Sequence, residues 1–169
     1  MYVNKILLEW VQSLIETVII VAVLFIFCWP LKIDGRSMEP TFFSGDRVFI
    51  SRFCTVFSNI ENSDVIVCNI IEDGKEISIL KRVIAAPYDT IRIENGQVYV
   101  NGKLLEEEYV SFNVEFDYDE ATLKDGEYFV MGDNRELSYD SRYMGFIKEE
   151  DIVGKVILKW FPFSKAAVF

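Results

Sequence analysis

Residues 90–102 read TIRIENGQVYVNG, and this stretch decides the fold class of the chain. Asn95-Gly96 joins two short runs of alternating apolar residues, and Asn101-Gly102 follows directly as a second turn. An Asn-Gly pair is the preferred centre of a two-residue type I′ hairpin, because both positions take a positive φ. The stretch therefore predicts consecutive antiparallel strands.

The same strand pattern continues on both sides of this double hairpin. Runs rich in branched and aromatic residues stand between turn signals. They lie at residues 47–53, 65–71, 77–84, 127–131 and 152–158. The sequence therefore predicts an all-β body of antiparallel sheets over residues 32–169. Within it, residues 105–126 combine many acidic residues with interleaved aromatics, which predicts an exposed, mobile insertion.

An uncharged apolar run, TVIIVAVLFIFCWPL, occupies residues 17–31. As a helix it rises about 22 Å, and it reaches the roughly 30 Å of a bilayer core only when extended back past Glu9 and Glu16. We predict a single membrane-spanning anchor helix over residues 1–31. A cleavable signal peptide, a buried core helix and a helix lying on the membrane surface are the alternatives.

The composition excludes several kinds of chemistry. A net charge of −10 argues against nucleic acid as a partner. The chain has no histidine, which removes Ser-His-Asp and Cys-His catalysis and the commonest zinc ligand. Cys28, Cys54 and Cys68 lack CxxC spacing, so neither a metal site nor a cofactor is expected. Cys54 and Cys68 either form a disulfide or, as we favour, remain separate thiols.

A candidate catalytic hydroxyl lies just beyond the apolar run, in IDGRSMEPTFFSGD at residues 33–46. Ser37 lies between a glycine turn and Pro40, and taken alone it reads as an ordinary loop serine. Without histidine, a serine nucleophile needs another base, and a neutral lysine is the known substitute. Because an ordinary lysine has a pKa of about 10.4, that lysine has to be buried among apolar side chains.

Lys81 meets this requirement. It lies in ISILKRVIAAP at residues 77–87, where strand alternation places it on the same face as Ile79 and Val83. Arg82 is then expected on the other face, with its permanent charge in water. The alternative is that Lys81 itself lies on the exposed face of a half-buried strand.

A third segment, MGDNRELSYDSRYMGF at residues 131–146, has the Gly, Asp, Asn and Ser content of a tightly hydrogen-bonded turn. Asp140 and Arg142 are spaced to pair within it, and Ser138 or Ser141 is placed to orient an amine. Taken alone, the pattern favours a purely structural loop.

In this order, the segments resemble the type I signal peptidases, membrane-anchored Ser-Lys endopeptidases, in their Gram-positive-like form. The chain departs from that family at Ala85 and Tyr88, where glycine is common, so the turn after Lys81 is expected to differ in shape. The resemblance covers nearly the whole chain. It rests on the two Asn-Gly hairpins and on residues 35–41 (GRSMEPT), 45–48 (GDRV), 63–67 (SDVIV), 81–89 (KRVIAAPYD) and 132–145 (GDNRELSYDSRYMG).

The resemblance implies a role for each of these residues. Ser37 is the expected nucleophile, and Lys81 the general base that activates first Ser37 and then the deacylating water. Ser138 is expected to hold the lysine amine. The oxyanion would be stabilised by the backbone N–H of Ser37, with help from the Gly35 side of the turn. No metal and no other cofactor is implied.

For the substrate, the resemblance implies exported preproteins that are cut after an Ala-x-Ala sequence, because the pockets admit only small side chains. It implies a signal-peptidase-like β body on a single-pass anchor in the cell membrane. The N-terminus would be cytoplasmic and the catalytic domain extracytoplasmic, which the count of basic residues does not settle by itself. Asp140 and Arg142 would buttress the Ser138 loop. The candidate pocket walls flank the catalytic pair: Leu31, Ile33, Met38, Val67, Ile79 and Leu80.

Two other functions are open at this point. The first is a non-catalytic or dedicated, pilus-type relative that acts as an assembly factor, although such proteins usually lack the serine or the lysine. The second is a self-cleaving Ser-Lys protease of the repressor-cleaving group. The apolar N-terminal segment and the absence of a DNA-binding helix pair in the sequence argue against the second.

Overall fold

One long helix precedes a series of short strands. The computed structural model describes residues 2–53, 60–112 and 114–169. Helix α1 covers Tyr2–Phe27 and the short helix α2 covers Ser141–Met144. Single 3-10 turns cover Glu149–Asp151 and Phe163–Lys165. In chain order the strands are β1 Cys28–Lys32, β2 Arg47–Ser51, β3 Val65–Glu72, β4 Lys75–Ala85, β5 Thr90–Glu94, β6 Gln97–Val100, β7 Lys103–Leu104, β8 Tyr118–Thr122, β9 Glu127–Met131, β10 Ile147–Lys148, β11 Ile152–Phe161 and β12 Ala167–Val168.

The strands form two antiparallel sheets. The larger sheet has the order β1-β2-β11-β3-β4-β9-β10, with β12 paired to β11, and the smaller has the order β7-β6-β5-β8. Between β5 and β6, Asn95 and Gly96 have φ values of 49° and 76°, and Asn101 and Gly102 follow with 52° and 72°. These are the positive φ values that type I′ turns require. The predicted all-β body with Asn-Gly hairpins is confirmed.

Two apolar clusters lie on opposite faces of the β3–β4 pair, because successive strand residues point to opposite sides. The Val67 cluster contains Val67 and Met38, and its half-buried edge includes Leu31 and Leu80, with Val153 and Phe169 also packed against it. Its buried members are Ile33, Met38, Phe42, Val48, Ile50, Val65, Val67 and Val156. The Cys68 cluster on the other face contains Ile60, Ile66, Cys68, Val83, Tyr128, Val130, Ile147 and Ile152, with Ile79 packed against it.

A third apolar cluster joins the two sheets. It packs Ile91, Ile93 and Val98 of the small sheet against Phe129 and Met131 of the large one. The double hairpin that decides the fold class is thereby fixed to the strand that leads into the 131–146 loop.

The apolar run at residues 17–31 is only partly helical, which corrects the prediction of a helix through residue 31. Helix α1 ends at Phe27, and Cys28–Lys32 pair with β2 as an edge strand. Pro30 lacks an N–H and is tolerated at a sheet edge, where its nitrogen faces away from the ladder. Within the described residues, no helix is both long enough and apolar enough to cross a membrane.

The acidic segment at residues 105–126 packs on the body, so the prediction of an exposed insertion is wrong at its start and in its middle. The Glu107 carboxylate forms an ion pair with the buried Arg135, and the Tyr109 ring lies 4.0 Å from the Arg82 guanidinium. Strand β8 pairs with β5. Charge counting missed this packing because the compensating arginines lie far away in the sequence.

Candidate active site

The turn that carries Ser37 is a closed loop at residues 33–46. The Ile33 N–H donates to the Asp46 carbonyl, and the Gly45 N–H donates to the Ile33 carbonyl, each at 2.9 Å. Gly35 has φ 105°, a conformation that side chains rarely adopt, so a glycine is needed there. Ser37 is half-buried. Its backbone N–H donates to no backbone carbonyl in the part of the chain that the structure describes.

A buried lysine that the sequence analysis missed fixes the far end of this turn. Lys159 Nζ donates to the Thr41 carbonyl at 2.7 Å and lies 3.5 Å from the Asp46 carboxylate. The Thr41 hydroxyl in turn donates to Asp133 at 2.5 Å. A sequence signal did exist, because Lys159 lies in an apolar strand just as Lys81 does.

Lys81 lies in the middle of β4 and is 3% exposed. It pairs with Ile66 across the strand ladder, on the face of the Cys68 cluster. Burial lowers its pKa from the ordinary 10.5, while the Asp140 carboxylate and Cys68 oppose that lowering. Among the described residues, no hydrogen bond joins its Nζ to Ser37 or Ser138. The Lys81 side chain is therefore buried, and among the described residues its amine lacks an acceptor such as the one that holds Lys159.

Arg82 is buried, and the expectation that its charge stays in water is wrong. The Asp133 carboxylate accepts two hydrogen bonds from its guanidinium, at 2.9 and 2.7 Å. A third goes to the Ser63 carbonyl at 2.9 Å. A bidentate carboxylate can compensate a buried guanidinium, and strand alternation by itself does not reveal such a partner. Because the Thr41 hydroxyl also donates to Asp133, the Arg82–Asp133 ion pair links strand β4 to the Ser37 turn.

Gly132 is the point where these elements converge. β4 and β9 pair Arg82 with Met131, so the next position of the register places Lys81 opposite Gly132. A Cβ atom on Gly132 would lie closer than 3.0 Å to both Ser138 Oγ and the Ser37 carbonyl oxygen. The buried Ser138 Oγ has no hydrogen-bond partner among the described residues. A buried hydroxyl without a partner beside a buried amine is a marker of a functional site.

The loop beyond Gly132 is held by a buried ion pair. Asp140 accepts from Arg142 Nε at 2.8 Å and from Nη2 at 3.0 Å, and it also accepts from the Gly132 N–H at 3.0 Å. Arg142 donates further to the Arg135 carbonyl at 2.7 Å. The pair therefore fixes both ends of the segment that contains Ser138.

Comparison with known proteins assigns the chain to a family. The family described as signal peptidase, peptidase S26, matches residues 7–161. The chain belongs to this family. The resemblance expected from the sequence motifs is thus confirmed, and the structure above is that of a signal peptidase family member.

Several relatives of this signal peptidase family member are similar over most of its length. Signal peptidase IB of Staphylococcus aureus (strain N315) is 36% identical, with 96% of this chain and 93% of that protein covered. Signal peptidase I P of Bacillus subtilis subsp. natto is 33% identical, with 94% and 91% covered. A crystal structure of a signal peptidase I from Enterococcus faecalis V583 is 30% identical, with a TM-score of 0.50, covering 57% of this chain and 96% of that chain.

The predicted pocket residues of this family member do not all lie together. Five of the six belong to the Val67 cluster or its edge: Leu31, Ile33, Met38, Val67 and Leu80. Ile79 packs against the Cys68 cluster instead, on the same strand face as Lys81. The reason is strand alternation, since Leu80 pairs with Val67 and Ile79 pairs with Cys68 across the same ladder.

The turn after Lys81 keeps a backbone shape that favours glycine in spite of the two departures from the family pattern. Tyr88 adopts φ 73°, and its side chain is 70% exposed. Ala85 is fully buried in the cluster between the sheets. Of the possible disulfide partners, Cys68 is a buried free thiol whose pKa is raised to about 12 by burial, and Cys54 lies outside the described residues.

Replacing Asp140 by alanine should lower the free energy of unfolding of this signal peptidase family member by about 3–5 kcal/mol, because Arg142 would stay charged and unpaired in a buried site. Urea unfolding followed by tryptophan fluorescence measures the loss. Glu94→Ala is the matched control. It breaks an exposed pair with Arg92 and should cost less than about 1 kcal/mol. Equal losses in the two variants would contradict the role assigned to Asp140.

Proposed function

We propose that the chain is a membrane-bound serine endopeptidase that removes N-terminal signal peptides from exported preproteins after Ala-x-Ala sites. The observation that carries the proposal is the buried Lys81 on the strand position opposite Gly132. Gly132 in turn contacts both the Ser138 hydroxyl and the backbone of Ser37. A buried lysine with a lowered pKa, together with two serines that meet at Gly132, supplies the groups that a Ser-Lys peptidase site requires.

Acylation would use Ser37 and Lys81 together. Neutral Lys81 Nζ takes the proton from Ser37 Oγ as the oxygen attacks the scissile carbonyl carbon. The same amine then returns the proton to the leaving nitrogen, the C–N bond breaks, and an ester to Ser37 remains. Ser138 Oγ, which is buried and has no partner among the described residues, is placed to hold the amine in position through both transfers.

Deacylation repeats the chemistry with water as the nucleophile. Lys81 removes a proton from the water, which attacks the ester carbonyl, and Ser37 Oγ leaves with the proton returned by the lysine. In both steps negative charge develops on the carbonyl oxygen. The Ser37 N–H is available to stabilise it, together with a backbone N–H on the Gly35 side of the turn. No metal or cofactor takes part in this scheme.

The apolar edge beside Ser37 accounts for the proposed choice of substrate. Met38 and Ile33 are almost fully buried and close the floor, and Leu31 and Leu80 are half-buried at its edge. We expect this shallow edge to accept methyl groups and to exclude larger side chains. Alanine at the two positions that face this edge gives the Ala-x-Ala preference.

The proposed membrane attachment places α1 in the bilayer, with its N-terminus cytoplasmic and the β body outside. Apolar side chains of α1 from Val11 to Val21 are exposed, which is unfavourable in water. An aromatic edge lies near its end, where Trp29 of β1 is exposed and the Arg47 guanidinium lies 5.6 Å from the Trp160 ring. Aromatic and basic side chains together are favoured at the headgroup level.

The test uses the full chain reconstituted in vesicles with a preprotein that has an Ala-x-Ala site. We expect one new N-terminus directly after that site, and an acyl adduct on the peptide that contains Ser37 after rapid acid quenching. The chain should also stay with the vesicles during an alkaline carbonate wash. An adduct on any other residue, or cleavage elsewhere, would refute the mechanism, and release by carbonate would refute the anchor.

A further inference from the structure

A groove runs along the outer side of the turn that carries Ser37. Its volume is about 310 Å³, the lower end of the range for ligand sites in proteins. One wall is the Ser37 turn itself, the facing wall is Ser111 and Phe112, and the floor is residues 133–137. The Asn134 N–H donates to the Ser37 carbonyl at 3.0 Å, so the floor of the groove begins at the nucleophile.

The Ser37 turn has two faces, and the groove uses one of them. The Phe42 N–H donates to the Met38 carbonyl at 2.8 Å, which gives the turn a helical spacing. Met38 and Phe42 are buried in the Val67 cluster. The side chains at the complementary positions, one helical turn apart, line the groove: Arg36, Glu39, Pro40 and Phe43. Ser37 lies between the two faces.

We propose that this groove binds the leaving half of the substrate, that is, the first residues of the mature chain after the cut. The inference rests on the proposed function, which assigns the acyl half to the edge of the Val67 cluster. In an extended substrate the residues before and after the scissile bond lie on opposite sides of Ser37. The residues before the bond lie toward the Val67 cluster, so the residues after it lie toward the groove.

An aromatic side chain is held at the rim of the groove without a packing role of its own. Phe112 is 81% exposed, and it faces Leu137 and Phe43, which are also exposed. The segment that carries Phe112 is fixed to the body by the Glu107–Arg135 ion pair and by Tyr109 on Arg82. An exposed ring on a segment that is already anchored gains contact with a ligand side chain at a lower entropic cost than a ring on a free segment. The groove therefore suits an extended segment with an apolar side chain within its first few residues.

Photo-crosslinking tests where each half of the substrate lies. The probes are two copies of one cleavage-site peptide, with benzophenone two residues before or two residues after the cut, bound to the full-length Ser37→Ala chain. We expect the probe with the label after the cut to react with Phe112 or residues 133–137. Reaction elsewhere, or no specific reaction, overturns the inference. The probe with the label before the cut carries it at the x of Ala-x-Ala, which faces away from the Val67 cluster, so it should leave Phe112 and residues 133–137 unlabelled. Labelling there would count against the proposed function instead.

Kinetics on substrates of two lengths test the role of Phe112. Extending the substrate from one to six residues after the cut should raise kcat/KM of the parent about tenfold, the size of one good aromatic contact. Phe112→Ala should reduce that gain to about twofold. Ile71→Ala, which truncates another exposed apolar side chain, should keep the parent's gain. A Phe112→Ala variant with the full gain would overturn the inference.

Discussion

Replacing Lys81 by methionine should lower kcat for preprotein cleavage by about 10³–10⁴-fold, the contribution of a general base that acts in both half-reactions. Methionine keeps an unbranched apolar chain in the β4 position but has no proton acceptor of lysine's basicity. Ser37→Ala should give a loss at least as large, and the double variant should lose little more, because the two residues act as a unit. Single-turnover cleavage of a purified preprotein measures all three.

The same substitution should make the protein more stable. Because burial lowers the pKa of Lys81, the folded state holds the charged amine less well than the unfolded chain does. At a pH below the pKa of Lys81 in the folded protein, the amine is protonated in both the folded and the unfolded state. The full free energy cost of burying the charged amine is then present. As the pH rises from the folded pKa to about 10.4 the cost disappears, because the amine becomes neutral in both states. Lys81→Met should therefore raise the free energy of unfolding by on the order of 1–3 kcal/mol at neutral pH and leave it unchanged above about pH 11.

Lys159→Met is the matched control, because it also removes a buried lysine from an apolar strand. Lys159 Nζ is held by the Thr41 carbonyl and lies near Asp46, so its loss leaves a carboxylate that is 5% exposed without its cation. The free energy of unfolding of Lys159→Met should be about 3 kcal/mol lower than that of the parent. Urea unfolding at pH 7 and pH 11 separates the two lysines. A destabilised Lys81→Met variant would show that the Lys81 amine is compensated as that of Lys159 is.

The opposite stability effects expected for Lys81→Met and Lys159→Met show what a strand pattern can and cannot predict. Both lysines lie in apolar strands and are buried, whereas the strand pattern by itself left either face open for Lys81 and gave no prediction for Lys159. It could not distinguish an amine with partners from one without, because Thr41 and Asp46 are more than a hundred residues away from Lys159 in the sequence. The partner of Arg82 is hidden from the pattern for the same reason, since Asp133 lies in the loop after β9, 51 residues further along the chain.

Local signals predicted most of the fold. The strands at 47–51, 65–72 and 90–94 follow from branched residues between turns, and the positive φ values follow from Asn-Gly pairs. The boundary between α1 and β1 was only partly predictable in this way, because Pro30 signals that the helix stops but not that a strand follows. Cys28–Lys32 are as apolar as the helix before them, apart from Lys32, and they become a strand because β2 pairs with them. Which segments pair with each other cannot be deduced from the composition of either segment alone.

The role of Gly132 in the site was likewise not predictable from local sequence, because it depends on contacts with the segments that contain Ser37 and Ser138. Replacing Gly132 by alanine should lower kcat by about 10²–10³-fold. The new Cβ would lie closer than 3.0 Å to Ser138 Oγ and to the Ser37 carbonyl oxygen, so at least one of them has to move. A displacement of about 1 Å in a catalytic group costs roughly 10²-fold in rate. The variant should also lose about 1–3 kcal/mol of stability through overpacking.

Gly154→Ala separates these two effects. Its Cβ would lie 2.9 Å from the Ser51 carbonyl oxygen, so it also crowds a backbone carbonyl, but on β11 and away from Ser37 and Ser138. We expect a similar loss of stability in urea unfolding, with kcat per folded molecule at the level of the parent. KM for the preprotein should change little in Gly132→Ala, since the groove and the Val67 cluster keep their walls. If Gly132→Ala cleaves as fast as Gly154→Ala, then Ser37, Ser138 and Lys81 do not meet at Gly132 during the reaction.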